Sequence, residues 1–197
     1  ECYMEGLEDR KLSSPTVIDI GANAGYFTLF ATSRFPGARV LSFEPIVVNY
    51  RLLDRNRKHN PQCRITTFNS AVAGKTGKIE LFLEPDDPFT TSASIAGGDS
   101  RRNKGVSVPC VNLADIFGKN KIDRCDLLKM DCEGAEYDIL YNCPDSLFPK
   151  ISQLALEVHN GAELGCDIES LEAFLRGKGY STRQRPVGMM WAWRTKG

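Results

Sequence analysis

Four carboxylates follow an apolar segment in the stretch LLKMDCEGAEYDIL, which covers residues 127–140. They are Asp131, Glu133, Glu136 and Asp138. A carboxylate at the end of a buried strand can position a bound hydroxyl group and accept its proton, and it can also cap the helix that follows. Asp131 and Glu133 are therefore candidate catalytic residues, with capping as the alternative. Glu136 is assigned to the first turn of the next helix, where negative charge is favourable.

His159 is a further candidate base, because it closes the apolar segment LALEVH. A histidine at a strand end can act as a base near neutral pH, or it can be an ordinary hydrogen-bonded surface group. Asp131, Glu133, Glu157 and His159 together can in principle bind a divalent ion. No ligand pattern in the sequence supports such a site, so we predict that no metal is bound.

The segment VIDIGANAG at residues 17–25 has the composition of a ligand-binding loop between a strand and a helix. It contains the acid Asp19 and the glycines Gly21 and Gly25. Glycines let the backbone approach a ligand closely, and the N–H groups at the start of a helix bind anionic groups. Glu44 ends the next predicted strand, 19 residues after Gly25, where a carboxylate can accept both hydroxyls of a ribose. An ordinary tight turn is the alternative, but the loop and the acid together favour a nucleoside site.

The type of nucleoside follows from what the loop lacks. Asn23 stands where a dinucleotide-binding loop has its middle glycine, and the chain has no GK[ST] phosphate-binding motif. The predicted ligand therefore has no pyrophosphate. S-adenosylmethionine fits, because it offers a ribose to Glu44 and an amino-acid end to the loop at 19–25, and its sulfonium cation tolerates nearby carboxylates.

Short β-rich segments alternate with helical patterns along the chain, as is typical of a doubly wound α/β fold with a mostly parallel sheet. Two last alternating segments are joined by only three residues and must be antiparallel, since a parallel connection needs a longer crossover. The predicted strands cover residues 16–20, 39–44, 64–72, 126–131, 152–159, 180–185 and 189–194, and the predicted helices 26–35, 47–60, 135–143 and 168–177.

Residues 78–111 interrupt this alternation with two further predicted strands, at 78–83 and 106–111, around a polar stretch. We predict one domain over residues 1–197 that carries this segment as an inserted strand-loop-strand. The polar loop is either a mobile lid over a ligand or a solvated connection without a role.

Composition limits the classes of partner. The 25 basic and 25 acidic residues cancel and are mixed along the chain, so no strong field favours nucleic acid or a membrane surface. No apolar run approaches the ~20 residues that a membrane span needs. Seven cysteines without a CxxC pair indicate reduced thiols, and hence a cytoplasmic protein. A small molecule is the predicted partner.

Four motifs resemble those of a known family, the FkbM-type S-adenosylmethionine-dependent methyltransferases. The resemblance covers about residues 17–180 and includes DIGANAGYFT at 19–28, FEP at 43–45, NSAV at 69–72 and KMDCEGAE at 129–136. It implies a Rossmann-like sheet of seven strands with a C-terminal antiparallel hairpin. The family commonly methylates hydroxyl oxygens of sugars, polyketides and other natural products. The N-terminal region is short for this family, so we expect that part of a substrate-binding or dimerising segment lies outside the sequence.

The resemblance also implies roles for individual residues. The predicted cofactor-binding residues are Asp19, Gly21, Asn23, Gly25, Tyr26 and Glu44, with Ser70 and Ala71 beside the adenine. In an open parallel sheet, ligands gather at the carboxyl ends of the strands where the strand order reverses. Asp131 is at such an end, one strand away from the glycine loop, so we expect it to face the methyl group that is transferred. A nicotinamide-dependent oxidoreductase and a non-catalytic cofactor-binding domain are the alternatives.

Overall fold

The computed structural model describes residue 3 and residues 12–83, 93–94, 104–161, 164–185 and 188–194. A mixed sheet of seven strands has the order β10-β11-β9-β8-β1-β2-β3. Its strands are β1 Thr16–Ile20, β2 Arg39–Phe43, β3 Arg64–Phe68, β8 Leu127–Met130, β9 Gln153–Glu157, β10 Ser181–Gln184 and β11 Met189–Trp193. The first five of these run parallel to one another, and β11 is antiparallel to both β9 and β10. The predicted doubly wound sheet and its closing hairpin are confirmed.

Five α-helices accompany the strands in the described part of the chain. They are α1 Tyr26–Arg34, α2 Val47–Lys58, α3 Leu113–Lys119, α4 Glu136–Tyr141 and α5 Ile168–Gly177, with a 3-10 helix at Asp145–Lys150. The sequence patterns predicted four of the five helices and missed α3. Asn112 begins α3 by accepting a hydrogen bond from the backbone N–H of Asp115 at 2.8 Å, a capping arrangement that was present in the sequence.

The central strands are buried on both faces, which explains why they are apolar almost without interruption. Successive residues of β1 point to opposite sides, and each side packs into its own core cluster. Val17 packs in one cluster with Val40 and Trp191, and Ile18 packs in the other with Leu41. Helix α1 contributes to the first cluster, and helices α3, α4 and α5 contribute to the second.

The predicted strand at 64–72 is wrong as a single element. The chain forms β3 and then β4 Ala71–Val72, which belongs to a second sheet with the order β4-β7-β5-β6. The break has a physical cause: the side-chain amide of Asn69 donates to the backbone oxygens of Glu44 at 2.9 Å and Pro45 at 3.0 Å. These bonds turn the chain away from the first sheet.

The second sheet contains β5 Gly77–Leu83, β6 Ala93–Ser94 and β7 Lys104–Val111. Strands β5 and β7 pair antiparallel, and β4 pairs parallel with β7. The polar stretch predicted as a lid or a connection lies largely outside the described residues. Within the described part of the chain, no helix has the length and apolar character that a membrane crossing requires.

Candidate active site

A cleft with an empty volume of about 660 Å³, open solvent included, lies at the carboxyl ends of β1, β2 and β8. The strand order reverses here, because the chain adds β2 and β3 on one side of β1 and β8 and β9 on the other. Its polar lining comes from Asn23, Glu44, Asn49, Asp131 and Glu133, and its apolar lining includes Ile20, Phe43, Ile46, Ala71, Val72 and Leu81.

The glycine loop brings β1 and β8 together at the base of the cleft. Gly21 has a φ of 71°, and a Cβ added to it would lie 1.8 Å from the backbone oxygen of Asp131. Only glycine fits this position without moving the loop. The same close approach places the glycine loop directly beside the backbone of Asp131, whose side chain is the predicted catalytic carboxylate.

Glu44 is a buried carboxylate in the cleft wall. It is 4% exposed, and its two oxygens accept the backbone N–H groups of Asn23 and Ile46, each at 2.8 Å. Burial raises the pKa of the Glu44 carboxyl to about 7, although these two N–H groups act to lower it. Each carboxylate oxygen accepts more than one hydrogen bond, so Glu44 retains capacity for hydroxyl donors.

The predicted cofactor residues divide into two groups. Gly21, Asn23, Glu44 and Ala71 line the cleft. The other group, which is not part of the cleft wall, consists of Asp19, Gly25, Tyr26 and Ser70.

Each residue of the second group has another environment. The Ser70 hydroxyl lies 2.9 Å from the backbone oxygen of Ala71 and 3.1 Å from that of Pro109. Asp19 is fully buried and accepts a hydrogen bond from the Thr28 hydroxyl at 2.7 Å. Gly25 packs against Leu53, and the Tyr26 side chain is 78% exposed. Direct cofactor contacts of these residues stay predictions.

Asp131 and Glu133 both line the cleft, as expected for groups that face a ligand. The Oδ2 atom of Asp131 lies 3.1 Å from the Tyr3 hydroxyl and 3.7 Å from the Lys129 ammonium. Glu133 has a φ of 53°, and burial raises the pKa of its carboxyl, partly offset by the charge of His159.

His159 lies two residues beyond the end of β9, so the prediction that the strand extends to His159 is wrong. Beyond the strand, the N–H of Val158 still donates to the Gly188 oxygen at 2.8 Å, which extends the pairing with β11 to one residue before His159. The His159 Nδ1 atom lies 3.4 Å from Glu136 Oε1, and its Nε2 atom lies 3.5 Å from Glu133 Oε2.

The two carboxylates determine the charge of His159. The hydrogen bond to Glu136, together with the charges of Glu136 and Glu133, raises the pKa of His159 to about 9 against the effect of burial. A protonated imidazole accepts no proton, so His159 fits a cationic neighbour of Glu133 better than a base at neutral pH. Glu136 is the first residue of α4, as predicted, and it also accepts the N–H of Cys132 at 3.1 Å.

Asp131, Glu133 and His159 can each offer one ligand atom, and these atoms lie within 4.8 Å of one another. Two carboxylates and an imidazole are a donor set that suits a divalent transition metal. The predicted absence of a metal stays a prediction.

Two residues at this site, Tyr3 and Lys129, were not assigned a role from the sequence alone. The Tyr3 hydroxyl lies 2.6 Å from Glu157 Oε2 as well as 3.1 Å from Asp131. Lys129 is buried beside both Asp131 and Asp19. Lys129 was foreseeable, because residues two apart on a strand share a face. Tyr3 was not, because 128 residues separate it from Asp131.

The fold and cleft define a class of protein. A methyltransferase FkbM from Methylobacillus flagellatus KT has a structure that matches with a TM-score of 0.68 at 18% identity, covering 97% of this chain and 46% of that chain. The fold is therefore that of the Rossmann-like methyltransferases. Residues 19–182 match the Methyltransferase FkbM domain, and the chain belongs to that family.

Two curated relatives are similar over most of this chain. The 31-O-demethyl-FK506 methyltransferase FkbM of Streptomyces tacrolimicus is 27% identical, over 91% of this chain and 77% of that protein. The AMB antimetabolite synthetase AmbE of Pseudomonas aeruginosa is 28% identical over 88% of this chain, but the chain spans only 10% of its length. Family membership does not favour the oxidoreductase or the non-catalytic alternative.

Proposed function

We propose that the chain is an S-adenosylmethionine-dependent O-methyltransferase that acts on a hydroxyl group of a small molecule such as a sugar or a polyketide. The observation that carries the proposal is the placement of Glu44 and Asp131 in the wall of one cleft. When bound, S-adenosylmethionine supplies a methyl group activated by a sulfonium centre.

The cleft fits that cofactor by its chemistry. Glu44 offers a buried carboxylate with remaining acceptor capacity, which suits the two hydroxyls of a ribose. Phe43, Ile46, Ala71 and Leu81 provide an apolar wall of the kind that packs against an adenine ring. The resemblance of the NSAV motif to its family counterpart also supports Ala71 as part of this wall.

Asp131 is the group that we assign to the acceptor. Its carboxylate accepts a hydrogen bond from the acceptor hydroxyl and takes its proton as the new O–C bond forms and the S–C bond breaks, which leaves neutral S-adenosylhomocysteine. Such a base contributes about 10²–10⁴-fold to the rate. Alignment of the oxygen with the methyl carbon contributes further, because effective molarities of aligned groups are large. Glu133 is the alternative base.

Other properties extend the proposal. The Streptomyces tacrolimicus relative is named as a methyltransferase of 31-O-demethyl-FK506, which supports oxygen as the acceptor here. The balanced charge of the chain and the free thiols of its described cysteines support a cytoplasmic enzyme with a small-molecule acceptor and without nucleic acid or membrane.

The test is incubation with methyl-labelled S-adenosylmethionine and fractionated cell extract, followed by identification of the labelled product by NMR. We expect label on an oxygen of a small molecule, and much less label with the matched variant Asp131→Asn. Label on nitrogen, carbon or nucleic acid would contradict the proposal, as would a failure of the cofactor to bind in calorimetry.

A further inference from the structure

Lys129 is a buried cation behind the cleft wall, beside the wall residue Asp131, and the proposed function gives it no role. It is 3% exposed, and its ammonium donates to the backbone oxygens of Gly21 at 2.9 Å and Ile20 at 3.3 Å. A lysine is rarely this buried without a reason, because desolvation of an ammonium is costly.

The same ammonium joins the two functional sides of the cleft. It lies 3.3 Å from Asp19 Oδ1, below the glycine loop, and 3.7 Å from Asp131 Oδ2. Register explains the first contact, because Lys129 of β8 pairs directly with Asp19 of β1. Alternation explains the second, since Lys129 and Asp131 are two residues apart. Burial acts to lower the pKa of Lys129, but the charges of Asp19 and Asp131 outweigh it and raise that pKa, so the group stays protonated.

The charge at this point matters for methyl transfer, because the reactant cofactor is a cation and its product is neutral. Carboxylates beside the sulfonium stabilise the reactant more than the transition state, in which that charge is being lost, and such ground-state binding does not accelerate the reaction. Asp131, Glu133 and Glu157 make this edge of the site acidic. Lys129 supplies a buried positive charge that balances part of it.

We propose that Lys129 is a positioning residue that fixes the glycine loop and Asp131 relative to each other and limits the preference of the site for the cationic cofactor over its neutral product. The inference rests on the proposed function. It assigns Lys129 a role at the methyl-transfer end of the cleft and not only a role in pairing with Asp19.

The test compares the dissociation constants of S-adenosylmethionine and S-adenosylhomocysteine by calorimetry in the wild type and in Lys129→Met. We expect the preference for the sulfonium compound to rise roughly two- to fifteenfold, the effect of one unit charge over about 10 Å at an effective dielectric constant between about 80 and 20. Lys129→Arg should keep the wild-type ratio. Lys119→Met is the matched control, because Lys119 also pairs with a carboxylate, Asp115 at 3.1 Å, but is 67% exposed.

The ratio of the two dissociation constants separates a purely structural role of Lys129 from the proposed one. If Lys129→Met weakens both ligands by the same factor, Lys129 only supports the fold and the inference is wrong. Wild-type protein that binds neither ligand would reject the proposed function itself, which is a different result. Should Lys129→Met not fold, Asp19→Asn/Lys129→Met removes the buried pair together and is compared with Asp19→Asn alone. The same rise in the ratio is expected, and no rise overturns the inference.

Discussion

Replacing Glu44 with glutamine should weaken S-adenosylmethionine binding while keeping the shape of the cleft. Both carboxylate oxygens of Glu44 accept a backbone N–H at 2.8 Å, and an amide has only one oxygen, so one N–H of the loop then faces an NH₂ group. A hydrogen bond to a charged group contributes about 1.5–3 kcal/mol. Because about 1.4 kcal/mol corresponds to a factor of ten, loss of one ribose hydrogen bond weakens the affinity about 10- to 100-fold.

The pH dependence of binding makes this prediction specific to Glu44. With a pKa of about 7, about a tenth of the carboxyl is ionised at pH 6 and about nine tenths at pH 8. Hydroxyl donors prefer the carboxylate, so the dissociation constant of the wild type should fall about tenfold between pH 6 and pH 8. Calorimetry between pH 6 and pH 8 should show this fall of the dissociation constant in the wild type, and a dissociation constant that does not change with pH in Glu44→Gln.

The stability of the ligand-free protein provides a second test of the raised pKa of Glu44. Folding raises the pKa of Glu44 from 4.5 to about 7. Its contribution to stability is therefore fully present below about pH 4.5 and is lost as the pH rises through 7. The melting temperature of the wild type minus that of Glu44→Gln should therefore fall as the pH rises through 7.

The binding measurements decide the ribose role of Glu44. A pH-independent dissociation constant in the wild type, or equal affinity in the glutamine variant, would refute it.

Three further predictions concern the other side of the cleft. Asp131→Asn should lower methyl-transfer turnover about 10²-fold or more and change the affinity for the neutral S-adenosylhomocysteine less than about threefold, whereas preserved turnover would leave Asp131 without a catalytic role. His159 has its pKa raised from 6.5 to about 9, so its contribution to stability is complete below about pH 6.5 and is lost as the pH rises through 9. Melting temperatures measured from pH 6 to 10 should show that loss in the wild type and not in His159→Asn. If the melting temperatures of the two proteins change with pH in parallel, the assignment is wrong. Gly21→Ala should destabilise the fold by more than the ~1–2 kcal/mol of a left-handed non-glycine residue, because its Cβ would lie 1.8 Å from the Asp131 oxygen. Gly118→Ala is the control, since nothing lies within 4 Å of its added Cβ, and denaturant unfolding should show it unchanged or stabilised by ~0.5–1 kcal/mol; equal effects of the two substitutions would contradict the account of the loop.

The sequence was sufficient for the central strands, because burial on both faces requires short continuous apolar segments, and turn residues bound these segments in the sequence. It failed at the boundary between β3 and β4. Asn69 and Ser70 are turn-forming residues, and they mark a break within residues 64–72 that the prediction passed over. The sheet that β4 then joins depends on tertiary contacts, which include the hydrogen bonds of the Asn69 side chain to the backbone of Glu44 and Pro45.

The sequence predicted those residues of the candidate site whose positions follow from the fold alone. Glu44 and Asp131 follow from the rule that ligands gather at strand ends beside the reversal of strand order. Asp19 shows the limit of that rule, because it lies within β1 and pairs with Lys129 and Thr28. The sequence also could not predict the charge of His159, because that charge depends on Glu136, which is 23 residues away in sequence.

The roles of Glu44 and Asp131 can be tested by a crystal structure with bound S-adenosylhomocysteine. We expect the nucleoside to occupy the cleft, with both ribose hydroxyls at the Glu44 carboxylate and the sulfur on the side of Asp131. Density for the ligand at any other site, or a ribose that does not contact Glu44, would contradict these roles.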